Sequence, residues 1–281
     1  MLALLSIIFA TIANGELVGP ITITENGQKV TRYVVSTYSP LASTNGSAVM
    51  LQHNSQVQIA NSSSGSYSPN SFQQYMLKGK TVTFTVDLSQ VGCSCNAAAY
   101  FVTMPGYGSN GQPNPGKAGD YYCDANDVNG EWCWELDVME ANKYVTAATP
   151  HECYQEPGGY ISSCDRGGCG TNSHNVDGNG MGPGSQYKIN TNMPFKQAMQ
   201  LTGSSITVTM TQGSNTFSYQ VCSNNGGYVS KMNDALDYGM VFVFSYWGST
   251  YSTMQWLDGM TGCSGDCAGT GVATFSNIII G

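Results

Sequence analysis

Three carboxylic acids, Glu135, Asp137 and Glu140, fall within six positions of the string Trp132-Cys133-Trp134-Glu135-Leu136-Asp137-Val138-Met139-Glu140-Ala141-Asn142. Charged residues make up only 10% of the chain, so this is a local concentration. The flanking Trp-Cys-Trp is the composition of a buried strand, where an acid needs a reason to be. That counts against the plainer alternative, an acidic strand face turned to solvent. Two carboxyl groups on one surface, one ionised and one protonated, are the equipment for cleaving a glycosidic bond. One attacks the sugar or activates water, and the other protonates the departing oxygen.

Alternate residues of a strand share a face. Trp132, Trp134, Leu136 and Val138 then form the apolar side, and Glu135, Asp137 and Met139 point the other way. Glu140 falls out of step. One extra residue, a β-bulge, swings it round beside the other acids. Residues five apart on an extended strand are separated by roughly 16 Å. A bulge and inward-leaning side chains bring the two Glu carboxyls to roughly 5–8 Å, a range that straddles the retaining and inverting geometries. Spacing does not choose between them. Asp137, lying between, opposes simultaneous ionisation of both through like-charge repulsion.

The elements that must position these acids read as strands. Residues 30–35, 56–59, 81–86, 97–103, 205–210, 216–222, 240–247 and 272–280 alternate or run apolar as strands do. Residues 105–130 and 152–185 are rich in loop-forming residues. No amphipathic helical run of length, no repeat and no Pro/Ser/Thr-rich linker is present, so residues 16–281 are expected to form one all-β domain, a sandwich or barrel. In 240–247, Met240, Phe242, Phe244 and Tyr246 share one parity, and Val241, Val243, Ser245 and Trp247 the other. Trp256 follows beyond a turn at 248–250. Exposed Trp beside a groove stacks on sugar C–H faces. Trp132 and Trp134 read as core; for Trp247 and Trp256, core and platform both stay open.

Net charge is −8, with a pI near 4.6. A basic nucleic-acid footprint is absent, and a neutral polysaccharide suits this surface better than a polyanion. Residues 2–13 are apolar, too short to span a bilayer, and followed by Asn14-Gly15, so 1–15 are expected to be a signal peptide. No other stretch could be a membrane helix. The ten cysteines all follow this leader, an even count that fits disulfides in an oxidising, extracellular setting. The sequons at Asn45 and Asn61 agree with secretion. Cys93-Ser94-Cys95 lacks a finger-type partner, so no metal is expected.

The string from Glu135 to Asn142, continuing to Thr149-Pro150-His151-Glu152-Cys153, resembles the active-site strand of glycoside hydrolase family 7, cellulases with E-x-D-x-x-E followed by T-P-H-x-C. Further segments resemble that family in the same order. They are 72–79 through 87–90, Cys93 with Asn96 and 100–104, 117–119 with Tyr122-Cys123-Asp124, 239–247, Trp256-Leu257-Asp258 and 274–278. The resemblance runs from about residue 70 to the end, and the segment before it matches poorly. A lone E-x-D-x-x-E would not suffice, because family 16 glucanases and transglycosylases carry similar strings.

The resemblance implies a curved antiparallel β-sandwich, a concanavalin-like jelly roll of two packed sheets with long disulfide-tied loops and a groove on the concave face. It implies retaining double displacement on β-1,4-glucan without a cofactor. Glu135 would be the nucleophile and Glu140 the acid/base. Asp137 would hydrogen-bond Glu135, and His151 would lie on the acid/base side in a network with Asp137. Asn96, Tyr100 and Asp124 would contact substrate at the cleavage centre, with Trp247 and Trp256 as platforms on either side of it. His53 and His174 match nothing and are expected at the surface. The implied disulfides are Cys123–Cys133, Cys153–Cys164 and Cys169–Cys222, with Cys93 and Cys95 taking Cys263 and Cys267 in either order. The loops within 123–133 and 153–164 are short, and the family's product-holding Arg and Asp correspond to Gly159 and Gly167. These departures, with no appended cellulose-binding module, imply a secreted, monomeric, endo-acting enzyme on soluble or amorphous glucan. A family 16-type β-1,3/1,4-glucanase or transglycosylase and a sugar-binding jelly roll are the rival readings.

Overall fold

The computed structural model describes residues 16–36, 41–63 and 68–281; the expected leader, 1–15, lies outside the described residues. The strands are β1 (Glu16–Glu25), β2 (Gln28–Ser36), β3 (Ala42–Thr44), β4 (Ala48–Gln52), β5 (Ser55–Ala60), β6 (Gln74–Tyr75), β7 (Thr81–Asp87), β8 (Cys95–Val102), β9 (Glu135–Asn142), β10 (Val145–His151), β11 (Thr171–Asn172), β12 (Met181–Gly182), β13 (Ile189–Asn190), β14 (Phe195–Leu201), β15 (Ile206–Gln212), β16 (Asn215–Val221), β17 (Met240–Gly248) and β18 (Val272–Ile280). Short helices α1 (Ser173–Val176), α2 (Gly226–Lys231), α3 (Asn233–Tyr238) and α4 (Gln255–Asp258) sit in the connections.

The strands form a curved, mostly antiparallel sandwich. The hydrogen-bonded path runs β11-β10-β9-β8-β17-β5-β2-β1-β18-β7-β14-β15-β16, with β4 also on β18 and β6 on β17. The two layers expected from the resemblance are thus the two ends of one strip, joined where β1 pairs antiparallel with β2 and parallel with β18. Between the layers, Phe242 stacks on Phe101 with ring centroids 4.2 Å apart, and Phe244 meets Phe275 of β18 at 5.0 Å. The even-numbered face of β17 therefore fills the core, as its alternation predicts. The core leaves Ser245 and Trp247 on the opposite face.

Strands β1, β4, β10 and β14 are absent from the sequence reading, each for a local reason. β1 contains Gly19-Pro20, β10 is mostly Ala and Thr with Pro150 inside, and β4 is only five residues long. β14 is built from helix-favouring Lys, Gln, Ala and Met. Burial decides its state: Phe195, Gln197, Met199 and Leu201 are buried alternately, the period of a strand.

Five disulfides close the loops: Cys93–Cys263, Cys95–Cys267, Cys123–Cys133, Cys153–Cys164 and Cys169–Cys222. The choice left open at Cys93 and Cys95 is thereby resolved. His53 departs from expectation: it is half-buried, edge-on to Tyr246 at 5.6 Å.

Candidate active site

Strand β9 carries the bulge that its sequence requires. Against β8, Met139 faces Ala99 while Asp137 faces Tyr100; against β10, Glu140 faces Ala147 while Asp137 faces Thr149. One residue is thus inserted on β9 between Asp137 and Glu140, and Val138 has no partner on either neighbour. The Val138 carbonyl accepts instead from the Gln197 amide of β14 in the facing layer, at 2.7 Å. A polar side chain buried in that layer therefore satisfies the backbone group released by the bulge.

The bulge brings Glu135, Asp137 and Glu140 to line one groove of about 460 Å³. It also sends Met139 into the apolar core beside Leu136 and Val138, not to the acid face where simple alternation puts it. Asn54, Ser55 and Gln56 from the β4–β5 turn and β5, Ala98 and Tyr100 from β8, and Ser245 and Trp247 from β17 also line the groove. Tyr122, Asp124, Asn126 and Val128 complete the wall from the loop after β8.

Each acid has its own surroundings. Glu135 accepts a hydrogen bond from the Ala125 amide at 2.9 Å. Burial, then the charges of Asp137 and Asp124, hold its pKa well above the ordinary range, against the pull of His151 and the Ala125 amide. Burial and Asp137 push Glu140 up to about 8, opposed by His151 and by the Asn96 amide, which donates to it at 3.0 Å. Asp137 accepts from His151 Nε2 at 3.0 Å, and His151 Nδ1 faces the Asp165 carbonyl at 2.9 Å. Burial alone would lower the His151 pKa, but Asp137, Glu135 and the Asp165 carbonyl raise it to about 10. The imidazole is therefore a cation at neutral pH. His151 pairs in register with Glu135, and its imidazole, bonded to Asp137, acts on both Glu135 and Glu140.

Asp124 Oδ1 accepts from the Asn126 and Val128 amides, at 2.9 and 3.1 Å. Trp247 and Trp256 are 39% and 48% exposed, and their rings stack on each other at 6.5 Å and 25°. They form a single platform at the Glu140 end, where Trp247 faces Asn96, and do not flank the acids as expected. Helix α4 is fixed there because buried Asp258 accepts from the Asn142 amide and the Ser94 N–H, both at 2.6 Å. Trp134 is core as expected. Trp132 is part-buried, with the Arg166 guanidinium 4.7 Å above its ring. No cluster able to hold a metal ion occurs among the described residues.

These proton affinities fix a sign for stability against pH. Glu140 holds its proton more tightly folded than unfolded, so its contribution is full below about pH 4.5 and is lost as pH rises to about 8. The His151 contribution is likewise full below about 6.5 and is lost as pH rises through about 10. Tm is expected to fall steadily from pH 5 to 9. Glu140→Gln should flatten the lower part of that slope, at about 1.4 kcal/mol per pH unit. A thermal melt series on both proteins checks this, and a Tm that climbs towards pH 9 contradicts it.

The sequence reading missed Asn54, Ser55, Gln56, Ala98, Tyr122, Asn126, Val128 and Ser245 as groove residues. The alternation of 240–247 sets Ser245 on one face with Trp247, and the alternation of 56–59 carries the same kind of signal for Gln56. The loop residues carry no such periodicity.

Comparison with known proteins adds a family to this geometry. The sequence model of glycosyl hydrolase family 7 matches residues 35–131 and 186–274, flanking the acid strand on both sides and beginning well before residue 70. The endo-beta-1,4-glucanase celB of Aspergillus oryzae is 31% identical over 256 residues, covering 71% of this chain and 60% of that protein. Endoglucanase EG-1 of Trichoderma longibrachiatum is 30% identical over 254 residues, covering 74% and 53%. The chain thus spans 60% or less of the length of these relatives. Among solved structures, the native endocellulase EGI of Humicola insolens superposes with a TM-score of 0.74 at 22% identity, over 94% of this chain and 96% of that one. A cellobiohydrolase from Daphnia pulex superposes at 0.71 and 19%, over 95% and 97%.

Proposed function

This chain belongs to glycosyl hydrolase family 7, and we propose that it is a secreted, endo-acting β-1,4-glucanase working by retaining double displacement. The observation that carries the reading is the β9 bulge, which sets Glu135, Asp137 and Glu140 along one groove beside an exposed tryptophan pair. Glu135, in its ionised state, attacks the anomeric carbon as the bond to the departing oxygen breaks. Glu140 delivers its proton to that oxygen. Glu140, now a carboxylate, takes a proton from water, whose oxygen displaces Glu135 and restores both groups. A carboxylic acid that keeps its proton up to about pH 8 is suited to the first of these duties. Asp137 and the His151 cation hold the middle of the site, and the Ala125 amide favours the charged form of Glu135.

The short disulfide loops Cys123–Cys133 and Cys153–Cys164 support internal cutting, since they leave little chain to roof the groove. Asn45 and Asn61 are both exposed, as glycan acceptors must be, and five disulfides accord with an extracellular destination. The test is incubation with β-1,4-, mixed-linkage and β-1,3-glucans, reading product sizes and the first anomer released. A spread of mid-length β-configured products from β-1,4-glucan is expected. Preference for β-1,3 linkages supports the family 16-type alternative, and binding without release of reducing ends supports a lectin.

A further inference from the structure

Gln56 reaches the groove from β5, in register with Ser245 of β17, which is in turn opposite Ala98 of β8. Its amide nitrogen lies 2.6 Å from the Tyr100 hydroxyl, and that hydroxyl lies 2.9 Å from the hydroxyl of Tyr122. Both phenols are fully enclosed or nearly so. An amide N–H can only donate. The Tyr100 oxygen therefore accepts from Gln56, and Tyr122 is the partner left for Tyr100's own proton. Burial raises the Asp124 pKa above the ordinary range, opposed by the Val128 and Asn126 amides and by the hydroxyl of Tyr122, which lines the same groove. With its oxygen accepting from Tyr100, Tyr122 turns its proton to that carboxylate. The opposite order would leave the Tyr100 proton without an acceptor and take a donor away from buried Asp124, at a cost typical of unsatisfied buried groups.

We propose that Gln56 is a positioning residue: its amide sets the direction of a donor chain, Gln56 to Tyr100 to Tyr122 to Asp124, that favours the charged form of Asp124 beside Glu135. The consequence for catalysis rests on the hydrolase reading, while the chain itself does not. Asp124 is faced by Tyr122 on its own loop and by Glu135 on β9. Behind them stand Asp137 and Glu140 on β9, Tyr100 on β8 and the His151 cation on β10. An Asp124 charge favoured by directed donors adds to burial and to Asp137 in tightening the hold of Glu135 on its proton, and so shifts where activity is lost on the acid side.

Reversing the first donor tests the chain. In Gln56→Glu a carboxylate replaces the amide and must accept from Tyr100. Tyr122 then donates to Tyr100, and Asp124 loses a donor. With Asp side-chain carboxyls labelled with carbon-13 and Asp124 assigned by Asp124→Asn, the NMR titration midpoint of Asp124 is expected to rise by about one pH unit. Gln56→Lys, a donor only, should leave it at or below the wild-type value. Direct repulsion from the new charge is separated by repeating Gln56→Glu in a Tyr122→Phe background, where the rise should largely disappear. An unmoved midpoint in Gln56→Glu, or an equal rise with and without Tyr122, overturns the proposal. On a soluble β-1,4-glucan the acid limb of kcat/KM should move with the midpoint. If the wild type hydrolyses no glucan, the hydrolase reading fails while the titration still decides the chain.

Discussion

Glu135→Gln is expected to lower turnover of a soluble β-1,4-glucan by about 10³-fold or more, with the fold intact. The amide has the volume of the acid, and its oxygen can still accept from the Ala125 N–H that now holds Glu135. What it lacks is a charged oxygen able to bond to the anomeric carbon, so no covalent intermediate forms. The burial that raises the Glu135 pKa acts on its charged form alone, so the neutral variant should melt no lower than the wild type. Reducing-end release and a thermal melt on the same preparation check both statements. More than about a tenth of wild-type turnover, a loss far too small for a missing nucleophile, would falsify the assignment.

Glu140→Gln should separate into two substrates what looks like one loss. On glucan, where the departing sugar oxygen is a poor leaving group, removal of the proton donor is expected to reduce turnover by about 10²–10⁴-fold. On an aryl cellobioside with an acidic phenol the first step needs no proton, so a burst of phenol should appear and the reaction then stall at the covalent intermediate. The stall follows because the Gln cannot take a proton from water. Azide, an anion that needs no base, should restore turnover and yield a β-glycosyl azide. The Asn96 amide that now donates to Glu140 can donate equally to the Gln oxygen, so the geometry is kept. Equal losses on both substrates, with no effect of azide, would remove Glu140 from the acid/base role.

Legibility in the sequence followed locality. The acids of β9 could be paired on one face from six residues alone, because strand parity and one bulge are local rules. Strands β7, β15 and β18 were equally plain, since each alternates over its whole length. β14 was not, because its residues prefer helix and only the facing layer makes it extended. The tryptophans show the same divide. Composition leaves Trp247 and Trp256 open between core and platform, and only the resemblance implies platforms; their stacking on one another depends on Asp258 tying α4 to Asn142 and Ser94, residues more than a hundred positions away. His151 was recognisable from its motif, and the β9–β10 register then placed it opposite Glu135.

By itself the sequence determined the chemical inventory: two glutamates and an aspartate at bulge spacing, ten pairable cysteines, an acidic surface and an all-β chain. Those follow from composition and short-range period. Only the tertiary structure decided which distant strands become neighbours. It brought Gln197 to the bulged carbonyl and the Gln56 amide to Tyr100, 44 positions on. It also raised Glu140 to about 8 by enclosing it beside Asp137. Burial and cross-strand register belong to the packed sheet as a whole, and no stretch of chain carries them before its partners are in place.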